Sequence, residues 1–520
     1  MAQGRGLPRG RVSKKHKPKN RKVYAVGARR IETPLEVPPC DLILTGKATI
    51  RKCTVRGGRR KCFRRFDSCA VPGYAPLCMD SRDLDTVECA FKKRLLRDVP
   101  LAAPGRLEAF AAFVKGFCEK HIPKVNVPSF EEWLEACPYS TARKEELRVA
   151  HDGLRGGPPT RKQCSKVDTF VKTEFYTEWK HARMINSRCD AFKVWSGPRF
   201  SAIEKVVYEL PEFIKHTPVP ERPNKIKGLK QAGRRYYQTD FTAFESHFTP
   251  DVMNACECVL YRHCLGTDKH ADYLCEALTG MNRMRTRTGV TATVRGRRMS
   301  GDMCTSLGNG FTNLMLAKFL VHEKGGYLEG FVEGDDGLFC TDVELTTKDY
   351  ADLGFTIKID EVPDPCHASF CGMIFSDSGQ IIKDPRKVFM GFGWTSSFIH
   401  AGPRIMGELL RAKALSAVYE TPHCPVVGAL ARYALTQTRG SNPRYTDTYK
   451  HCPLKDERGV AAFSPTWDTR QLFADKYGVS IPAQLAAEAA ILRGDFESLA
   501  VLIPPTDVQC VYTEVYVEPT

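Results

Sequence analysis

Two acidic segments that lie far apart in this 520-residue chain constrain its fold most strongly. Residues 236–241 alternate as a β-strand does and place Asp240 near the strand end. Gly334-Asp335-Asp336 lies between two short apolar runs, a pattern that predicts a tight β-hairpin turn. The carboxylates of these segments can meet only if their strands are neighbours. Such a meeting is what two-metal phosphoryl chemistry requires, with two Mg²⁺ ions roughly 3.5–4 Å apart.

Each acidic segment has an ordinary alternative interpretation when it is taken alone. Asp-Gly is common turn chemistry, so Gly334-Asp335-Asp336 is also consistent with a plain hairpin. Asp240 and Glu245, which follows five positions later, are equally consistent with surface acids. The order of further motifs along the chain must therefore carry the argument.

The most specific motif is S-G-x₃-T-x₃-N, formed by Ser300, Gly301, Thr305 and Asn309. This pattern arises by chance in only about two chains per thousand of this composition. It predicts a glycine-containing loop followed by a helix over residues 305–320, which together offer hydroxyl, amide and backbone donors. Donors of this kind suit sugar hydroxyls and phosphates.

Composition and charge narrow the class of protein. The chain is 42% hydrophobic and 26% charged, which excludes wholly disordered, collagen-like and membrane-embedded chains. No run approaches the roughly 20 apolar residues of a membrane-spanning helix. Residues 1–30 contain eleven Lys or Arg and no acid, out of a formal net charge of +17. We expect this segment to be a disordered basic tail, serving either as a solvated or sorting segment or as a phosphate-binding arm.

The 21 cysteines are scattered along the chain rather than packed into a disulfide scaffold. The cluster Cys53, Cys62, Cys69 and Cys78 lacks the close pairs that structural zinc sites use. We therefore expect free or buried thiols in a reducing compartment.

Taken together, the motifs resemble motifs A, B and C of viral RNA-dependent RNA polymerases of positive-strand RNA viruses. The segments are Asp240-x₄-Glu245, residues 300–309 and residues 334–336, in that order, and the resemblance is closest to the tombusvirus-like and flavivirus-like branches. Residues 172–174 with 183–188 are similar to the basic finger motif F, residues 351–359 to motif D and residues 369–372 to motif E. The resemblance covers about residues 165–375.

The resemblance implies a role for each matching residue. Metal ligands and catalytic acids would be Asp240 and Asp335, with Asp336 assisting, and Lys358 would donate a proton to pyrophosphate. Residues that contact the triphosphate, the ribose or the neighbouring template would be Lys172, Arg183, Arg188, Glu245, Ser300, Gly301, Thr305 and Asn309. Glu245 stands where the family more commonly has Asp, and we expect it to accept from the 2′-hydroxyl or to hold Asn309. The alternative is that Glu245 faces solvent at the start of the next helix.

The same resemblance implies the fold. It is an α+β, right-handed fingers–palm–thumb polymerase with an antiparallel palm sheet and a helical thumb. The expected parts are the tail 1–30, an N-terminal extension and fingers at 31–235, a palm at 236–385 with a fingers insertion at about 253–295, and a thumb at 386–520.

The implied cofactor is Mg²⁺, with Mn²⁺ as an alternative ion, and the implied partners are RNA template and product and ribonucleoside triphosphates. The absence of a membrane-spanning run leads us to expect recruitment to membrane-associated sites in the host cytoplasm through another viral or host protein. A reverse transcriptase shares the paired acids, although that family typically has a Tyr-x-Asp-Asp turn and lacks the S-G-x₃-T-x₃-N loop. An RNA-packaging protein would explain the basic tail but not the ordered motifs.

Overall fold

The structure is a computed structural model of the chain and describes residues 49–51, 63–76, 83–175, 181–266, 268–446 and 448–505. The basic tail at 1–30 lies outside the described residues, as do Cys53, Cys62 and Cys78, so the expectations for them stay predictions. Cys69 is described, and it is buried with a free thiol, as expected. Within the described ranges, no helix is both long enough and apolar enough to cross a membrane.

The strands are numbered here in chain order. They are β1 (Thr49–Arg51), β2 (Arg64–Arg65), β3 (Lys166–Val171), β4 (Met184–Arg188), β5 (Arg235–Phe241), β6 (Met281–Thr286), β7 (Thr291–Arg295), β8 (Leu328–Glu333), β9 (Asp336–Thr341), β10 (Ile357–Val362), β11 (Ile374–Phe375), β12 (Ile381–Ile382) and β13 (Trp394–Thr395).

The α-helices are numbered in the same way. They are α1 (Leu84–Arg94), α2 (Arg106–His121), α3 (Phe130–Ala136), α4 (Thr141–Asp152), α5 (Arg161–Ser165), α6 (Asp190–Val207), α7 (Arg222–Lys227), α8 (Pro250–Ala255), α9 (Glu257–Leu265), α10 (Ala271–Thr279), α11 (Thr305–Glu323), α12 (Thr347–Ala351), α13 (Pro385–Phe392), α14 (Pro403–Glu420), α15 (Val427–Gln437), α16 (Trp467–Tyr477), α17 (Ile481–Arg493) and α18 (Phe496–Leu502).

A four-stranded sheet of order β10-β5-β9-β8 is antiparallel throughout. Tyr237 and Phe339 of this sheet join the largest apolar cluster, to which α11 also contributes. The residues that alternate with these along the strands, such as Tyr236 and Leu338, join a second apolar cluster on the opposite face of the sheet. Both faces of this sheet are therefore covered by apolar side chains.

A second, five-stranded sheet has the order β1-β7-β6-β3-β4. Its strands come from two stretches of sequence on either side of β5, because β3 pairs in parallel with β6. Apolar residues of α1, including Val87 and Phe91, pack with Val167 and Met284 on one face of this sheet. The strands of residues 281–295 thus belong to the same sheet as the strands of residues 166–188.

The C-terminal region is mainly helical and contains α13 to α18. Its apolar cluster also includes Phe66, Cys69 and Tyr74 from the N-terminal part of the chain. The short strand β2 pairs with β13, which fixes this attachment. The α+β fold class predicted from the sequence is confirmed, and residues 63–76 pack with elements that follow residue 385.

Candidate active site

The predicted hairpin turn is present between β8 and β9. Glu333 pairs with Asp336 across the two strands, so Gly334 and Asp335 form a two-residue turn. Gly334 has a φ of 66°, a left-handed conformation that glycine adopts without steric cost. The turn therefore fixes Asp335 at the tip of a rigid hairpin.

Asp240 and Asp336 lie on neighbouring strands, as the sequence argument required. Strand β5 pairs antiparallel with β9, and the last matched residues are Thr239 and Gly337. Asp240 follows Thr239, and Asp336 precedes Gly337 in the opposite strand direction. The two acids thus lie beyond the same end of this ladder, next to the turn that carries Asp335.

Electrostatics confirm that the acids are close to one another. Burial and the negative charges of Asp335, Asp240 and Glu333 together raise the pKa of Asp336 to about 7, and the positive charge of Arg183 opposes the shift. Neighbouring negative charges favour the protonated form of a carboxyl group, and a bound cation favours the ionised form. Carboxylate oxygens are the ligands that Mg²⁺ and Mn²⁺ prefer, so this donor set fits the implied ion.

A different group of candidate metal ligands lies elsewhere, at Asp364, Cys366 and Asp377. The ammonium group of Lys230 is 2.6 Å from a carboxylate oxygen of each aspartate. Lys230 thus supplies the positive charge there, and the group is best explained as a structural ion-pair network.

Asn313, which the sequence analysis did not select, forms hydrogen bonds with the backbone of the turn between β8 and β9. It projects from α11, is fully buried, and donates from Nδ2 to the carbonyl oxygens of Asp335 and Asp336 at 3.2 and 3.1 Å. A third contact, to the carbonyl of Gly334, is longer at 3.4 Å. The signal that the sequence offered for Asn313 was a polar residue within the apolar helix that follows the S-G loop, eight positions after Thr305.

The S-G-x₃-T-x₃-N loop is docked on β4. Ser300 donates from Oγ to the carbonyl of Met184 at 2.8 Å, and the N–H of Gly301 donates to the carbonyl of Asn186 at 2.8 Å. A Cβ at Gly301 would lie 2.9 Å from that carbonyl oxygen, so the close approach requires glycine. Thr305 donates to the carbonyls of Met299 and Asp302 within its own loop. In this structure, the hydroxyls of Ser300 and Thr305 are therefore bound to the loop and its support.

The triphosphate contact predicted for Arg188 is contradicted by the structure. Its side chain is 2% exposed, and Nε lies 2.7 Å from Oδ2 of the equally buried Asp302. Nη1 donates to the carbonyl of Cys164 at 2.6 Å. Because the guanidinium group is enclosed and already paired, it cannot reach a ligand. Arg188 instead ties β4 to the S-G loop.

Glu245 also has a different partner from the one expected. Arg94 of α1 binds its carboxylate with both Nε and Nη2, at 2.7 and 3.2 Å. The Glu245 side chain is only 14% exposed, so the alternative of a solvent-facing acid is also wrong. It lies in a short 3₁₀ helix, Phe244–His247, and it does not hold Asn309.

Asn309 is held by Arg298, a residue that sequence reasoning did not select. Nε of Arg298 donates to Oδ1 of Asn309 at 3.0 Å. The same guanidinium group forms a fully buried ion pair with Glu257, which also accepts from the hydroxyl of Tyr261 at 3.1 Å. Arg298, Glu257, Tyr261 and Asn309 are called the Arg298 network below. Its sequence signal was weak, because a lone arginine in an arginine-rich stretch looks like surface charge.

Lys172 and Arg183 lie at the two ends of the connection between β3 and β4. Both ion-pair with Glu174, at 2.7 and 3.2 Å, and both side chains remain more than 40% exposed. The charge of Arg183 reaches Asp336, as its effect on the pKa of that acid shows. A cavity of about 640 Å³ opens between this loop and C-terminal residues that include Lys383, Lys387 and Lys413.

Lys358 lies beside Asp240. The two residues are direct partners in the antiparallel pair β10–β5, so their side chains share one face of the sheet. Lys358 is 69% exposed, and Nζ is 2.6 Å from Oδ2 of Asp360. The structure therefore places an exposed lysine, paired with Asp360, on the same face of the sheet as Asp240.

A central segment of the chain matches a known family. Residues 238–375, which contain Asp240, Asn313 and the hairpin turn, match the family described as viral RNA dependent RNA polymerase. The match covers about a quarter of the chain, and it confirms the resemblance drawn from the motifs.

Curated relatives agree with that match. The chain is 27% identical over 244 residues to the RNA-directed RNA polymerase of groundnut rosette virus (strain MC1), covering 43% of this chain and 29% of the relative. It is 27% identical over 221 residues to the RNA-directed RNA polymerase of red clover necrotic mosaic virus, covering 39% of this chain and 28% of the relative. The matched segment thus spans less than a third of each relative, and it points to the tombusvirus-like branch.

Proposed function

We propose that the chain is an RNA-dependent RNA polymerase, which adds ribonucleotides to a 3′-hydroxyl on an RNA template. One observation carries the proposal, and it lies inside the segment that matches viral polymerases. Asp240 and Asp336 lie at the same end of the neighbouring strands β5 and β9, and Asp335 lies in the turn next to them. The names of the relatives support the same activity.

The three acids are the residues that would hold divalent metal ions, with Mg²⁺ or Mn²⁺ as the fitting ions. When bound, such ions supply Lewis-acid activation of the 3′-hydroxyl and neutralise charge on the leaving pyrophosphate. The protein's part is to hold the acids in place, which the two-residue turn, the β5–β9 ladder and Asn313 do together.

Three basic residues suit the substrate's phosphates. Lys172 and Arg183 are partly exposed and both pair with Glu174, and the charge of Arg183 reaches Asp336, so these two residues can exchange Glu174 for a triphosphate. Lys358 shares a face with Asp240 and can deliver a proton to the pyrophosphate oxygen as it leaves. The amide of Asn309, oriented by Arg298, is the proposed contact to the ribose.

The proposed domain arrangement follows the resemblance. The four-stranded sheet with α11 would be the palm, the five-stranded sheet with α1 the fingers, and the helices after residue 385 the thumb. The cavity of about 640 Å³ between the β3–β4 loop and the C-terminal helices offers room for nucleic acid or nucleotide.

The test is incorporation of labelled nucleotides by the purified chain on a short RNA template with Mg²⁺. We expect ribonucleotides to be incorporated in a template-dependent way, and an Asp335→Asn variant to be inactive. Incorporation of deoxyribonucleotides alone would instead indicate a reverse transcriptase. RNA binding with incorporation of neither sugar would indicate an RNA-packaging role.

A further inference from the structure

A fourth acid lies beside the three proposed metal ligands. Glu333 is the last residue of β8 and pairs with Asp336 across the hairpin, so the two side chains lie on the same face of the two strands. The charge of Glu333 also reaches Asp336. Four carboxylates therefore gather at this end of the sheet, and like charges held this close oppose one another's ionisation unless cations offset them.

Arg222 provides such a cation for Glu333. Nη1 of Arg222 lies 3.1 Å from Oε2 of Glu333, and the arginine side chain is only 9% exposed. Nε of the same guanidinium group donates to the carbonyl of Thr217 at 3.3 Å. Because Arg222 is enclosed and held on two sides, it serves Glu333 rather than a phosphate that arrives from solution.

The segment that leads to Arg222 is fixed along the edge of β8 opposite β9. The N–H of Val332 in β8 donates to the carbonyl of Glu212 at 2.8 Å, and Phe213 forms a parallel bridge with Val332. The chain then passes through the buried Thr217 and enters α7 at Arg222. The ion pair with Glu333 is therefore built between two parts of the chain that the backbone already holds together.

The turn that resembles part of motif E supplies a second contact to Glu333. Phe370 and Met373 exchange backbone hydrogen bonds at 2.9 and 3.1 Å, and Cys371 (φ 53°) and Gly372 (φ 69°) lie between them. A cysteine with a positive φ is uncommon, because turns of this kind favour Asn, Asp or Gly there. Sγ of Cys371 donates to Oε2 of Glu333 at 3.5 Å.

Glu333, Arg222 and Cys371 are called the Glu333 cluster below. Both contacts converge on the same oxygen of Glu333, so the carboxylate is held by the cluster. The guanidinium group offsets one of the four negative charges near the proposed metal ligands. The cluster therefore lowers the electrostatic attraction of the acidic site for a free divalent ion.

We propose that Arg222 is a positioning residue that sets the affinity of the acidic site for divalent ions, by holding and neutralising Glu333. The inference rests on the proposed function, because it takes Asp240, Asp335 and Asp336 as the metal ligands. It goes beyond that function by giving a role to an ion pair outside the ligand set. Modest affinity for the free ion suits a site where Mg²⁺ is held by a few carboxylates together with substrate phosphates.

The experiment measures binding of Mn²⁺ alone to the full chain, without nucleotide or RNA, from the electron paramagnetic resonance signal of the free ion. Arg222→Gln leaves Glu333 without its cation and should tighten Mn²⁺ binding about tenfold. Arg222→Lys keeps the charge and should stay within about threefold of wild type.

Glu333→Gln tests the other member of the ion pair. It leaves the guanidinium group unopposed and should weaken Mn²⁺ binding about tenfold. The double variant Arg222→Gln/Glu333→Gln removes both charges and should return to within about threefold of wild type. Damage to the fold would weaken binding in every variant, so the opposite signs of the two single variants separate a charge effect from a purely structural one.

Arg234→Gln is the matched control. It removes the cation of another ion pair of the same sheet, formed with Asp342 at 2.7 Å beyond the end opposite the acids. It should leave Mn²⁺ affinity unchanged. Asp335→Asn should weaken Mn²⁺ binding strongly, and this variant checks the proposed metal site separately.

Unchanged or weaker Mn²⁺ binding in Arg222→Gln, together with weak binding in Asp335→Asn, would overturn this inference and leave the proposed function in place. Unchanged binding in Asp335→Asn would overturn both, because the acids would then not hold the ion. If circular dichroism shows that Arg222→Gln is unfolded, Glu333→Gln decides the matter, since its side chain is 32% exposed. Unchanged or tighter binding in Glu333→Gln would then contradict the inference.

Discussion

Nε of Arg298 donates to Oδ1 of Asn309 across 3.0 Å, and this bond sets the direction of the Asn309 amide. Arg298 is itself fixed by its buried ion pair with Glu257 and by the ring of Phe248, whose centroid lies 4.1 Å from the guanidinium carbon. Asn309 is half-buried, and with Oδ1 engaged its N–H groups remain as donors. An amide donor held in this way suits the oxygen of a ribose 2′-hydroxyl.

Substitution of Asn309 should therefore change sugar preference. We expect Asn309→Ala to lower kcat/KM for ribonucleotides about tenfold or more and to leave deoxyribonucleotides much less affected, because only the ribose loses a partner. Asn309→Asp keeps an acceptor for Arg298 but removes the donor, so it should lose the same preference while unfolding at a temperature closer to wild type. An unchanged preference in both variants would place ribose recognition elsewhere.

Gly308 should resist replacement even though it lies inside a helix. A Cβ at this position would lie 2.5 Å from Nη2 of Arg298 and would also press on Glu257, so the Arg298 network would have to move. We expect Gly308→Ala to lower the free energy of unfolding by about 1–3 kcal/mol. Gly116→Ala in α2 is the control, because a Cβ there meets nothing within 4 Å, and it should stabilise by roughly 0.5–1 kcal/mol. Denaturant unfolding of the two variants decides this, and equal stabilisation would contradict the account of Gly308.

Asn313 should matter for turnover more than for substrate binding. Asn313→Ala removes the donor that holds the carbonyls of Asp335 and Asp336, so the metal-binding turn should shift. We expect a loss of about 1–3 kcal/mol in stability together with a fall in kcat of at least tenfold.

Asn282→Ala is the matched control, since Asn282 is equally buried and donates to the carbonyl of Gly296 at 2.6 Å in the other sheet. It should lose similar stability and keep kcat per folded molecule. A similar fall in kcat in both would show that Asn313 acts through stability alone.

The raised pKa of Asp336 predicts a pH dependence of stability in the absence of metal ions. The folded-state pKa of about 7 exceeds the ordinary value of 3.8, so the stabilising effect of the protonated form is present at low pH and is lost as the pH rises through about 7. Asp336→Asn should therefore be more stable than wild type at pH 8 in EDTA, by about 1–2 kcal/mol after allowance for solvent screening. The difference should shrink towards pH 5.

Asp349 provides a control of opposite sign for that measurement. Burial alone would raise its pKa, but Lys324 and Thr346 donate to its carboxylate, and the net pKa lies below the ordinary value. Asp349→Asn should therefore be less stable than wild type at pH 8. If Asp336→Asn were destabilised at pH 8 in the same way, the acidic site would not be crowded as described.

The elements that the sequence predicted well are those specified by local signals. The helix predicted over residues 305–320 is present as α11, which begins at Thr305 and ends at Glu323. Between α8 and α9 the helical path is broken at Cys256, which has φ −123° and ψ −85°. No glycine or proline in the sequence around Cys256 marks that break.

Long-range pairing explains most of what sequence reasoning missed at the site. Arg94 and Glu245 are 151 positions apart, and Arg188 and Asp302 are 114 positions apart. A charged residue that is buried and paired looks the same in the sequence as one that faces a ligand. The positions of Asp240 and Asp336 were predictable because the chemistry itself required their strands to be neighbours, and the β5–β9 ladder satisfies that requirement.

The most direct test of the central claim is ribonucleotide incorporation by Asp240→Asn, Asp335→Asn and wild type on one RNA template with Mg²⁺. Asp342→Asn is the control, since this exposed acid follows the far end of β9 and pairs with Arg234. We expect the first two variants to lose roughly a thousandfold or more in rate, because each removes a metal ligand worth several kcal/mol in the transition state, while they keep the fold and RNA affinity. Asp342→Asn should keep its activity. Retention of a tenth of wild-type activity by Asp240→Asn or Asp335→Asn would contradict the claim that these carboxylates form the catalytic centre.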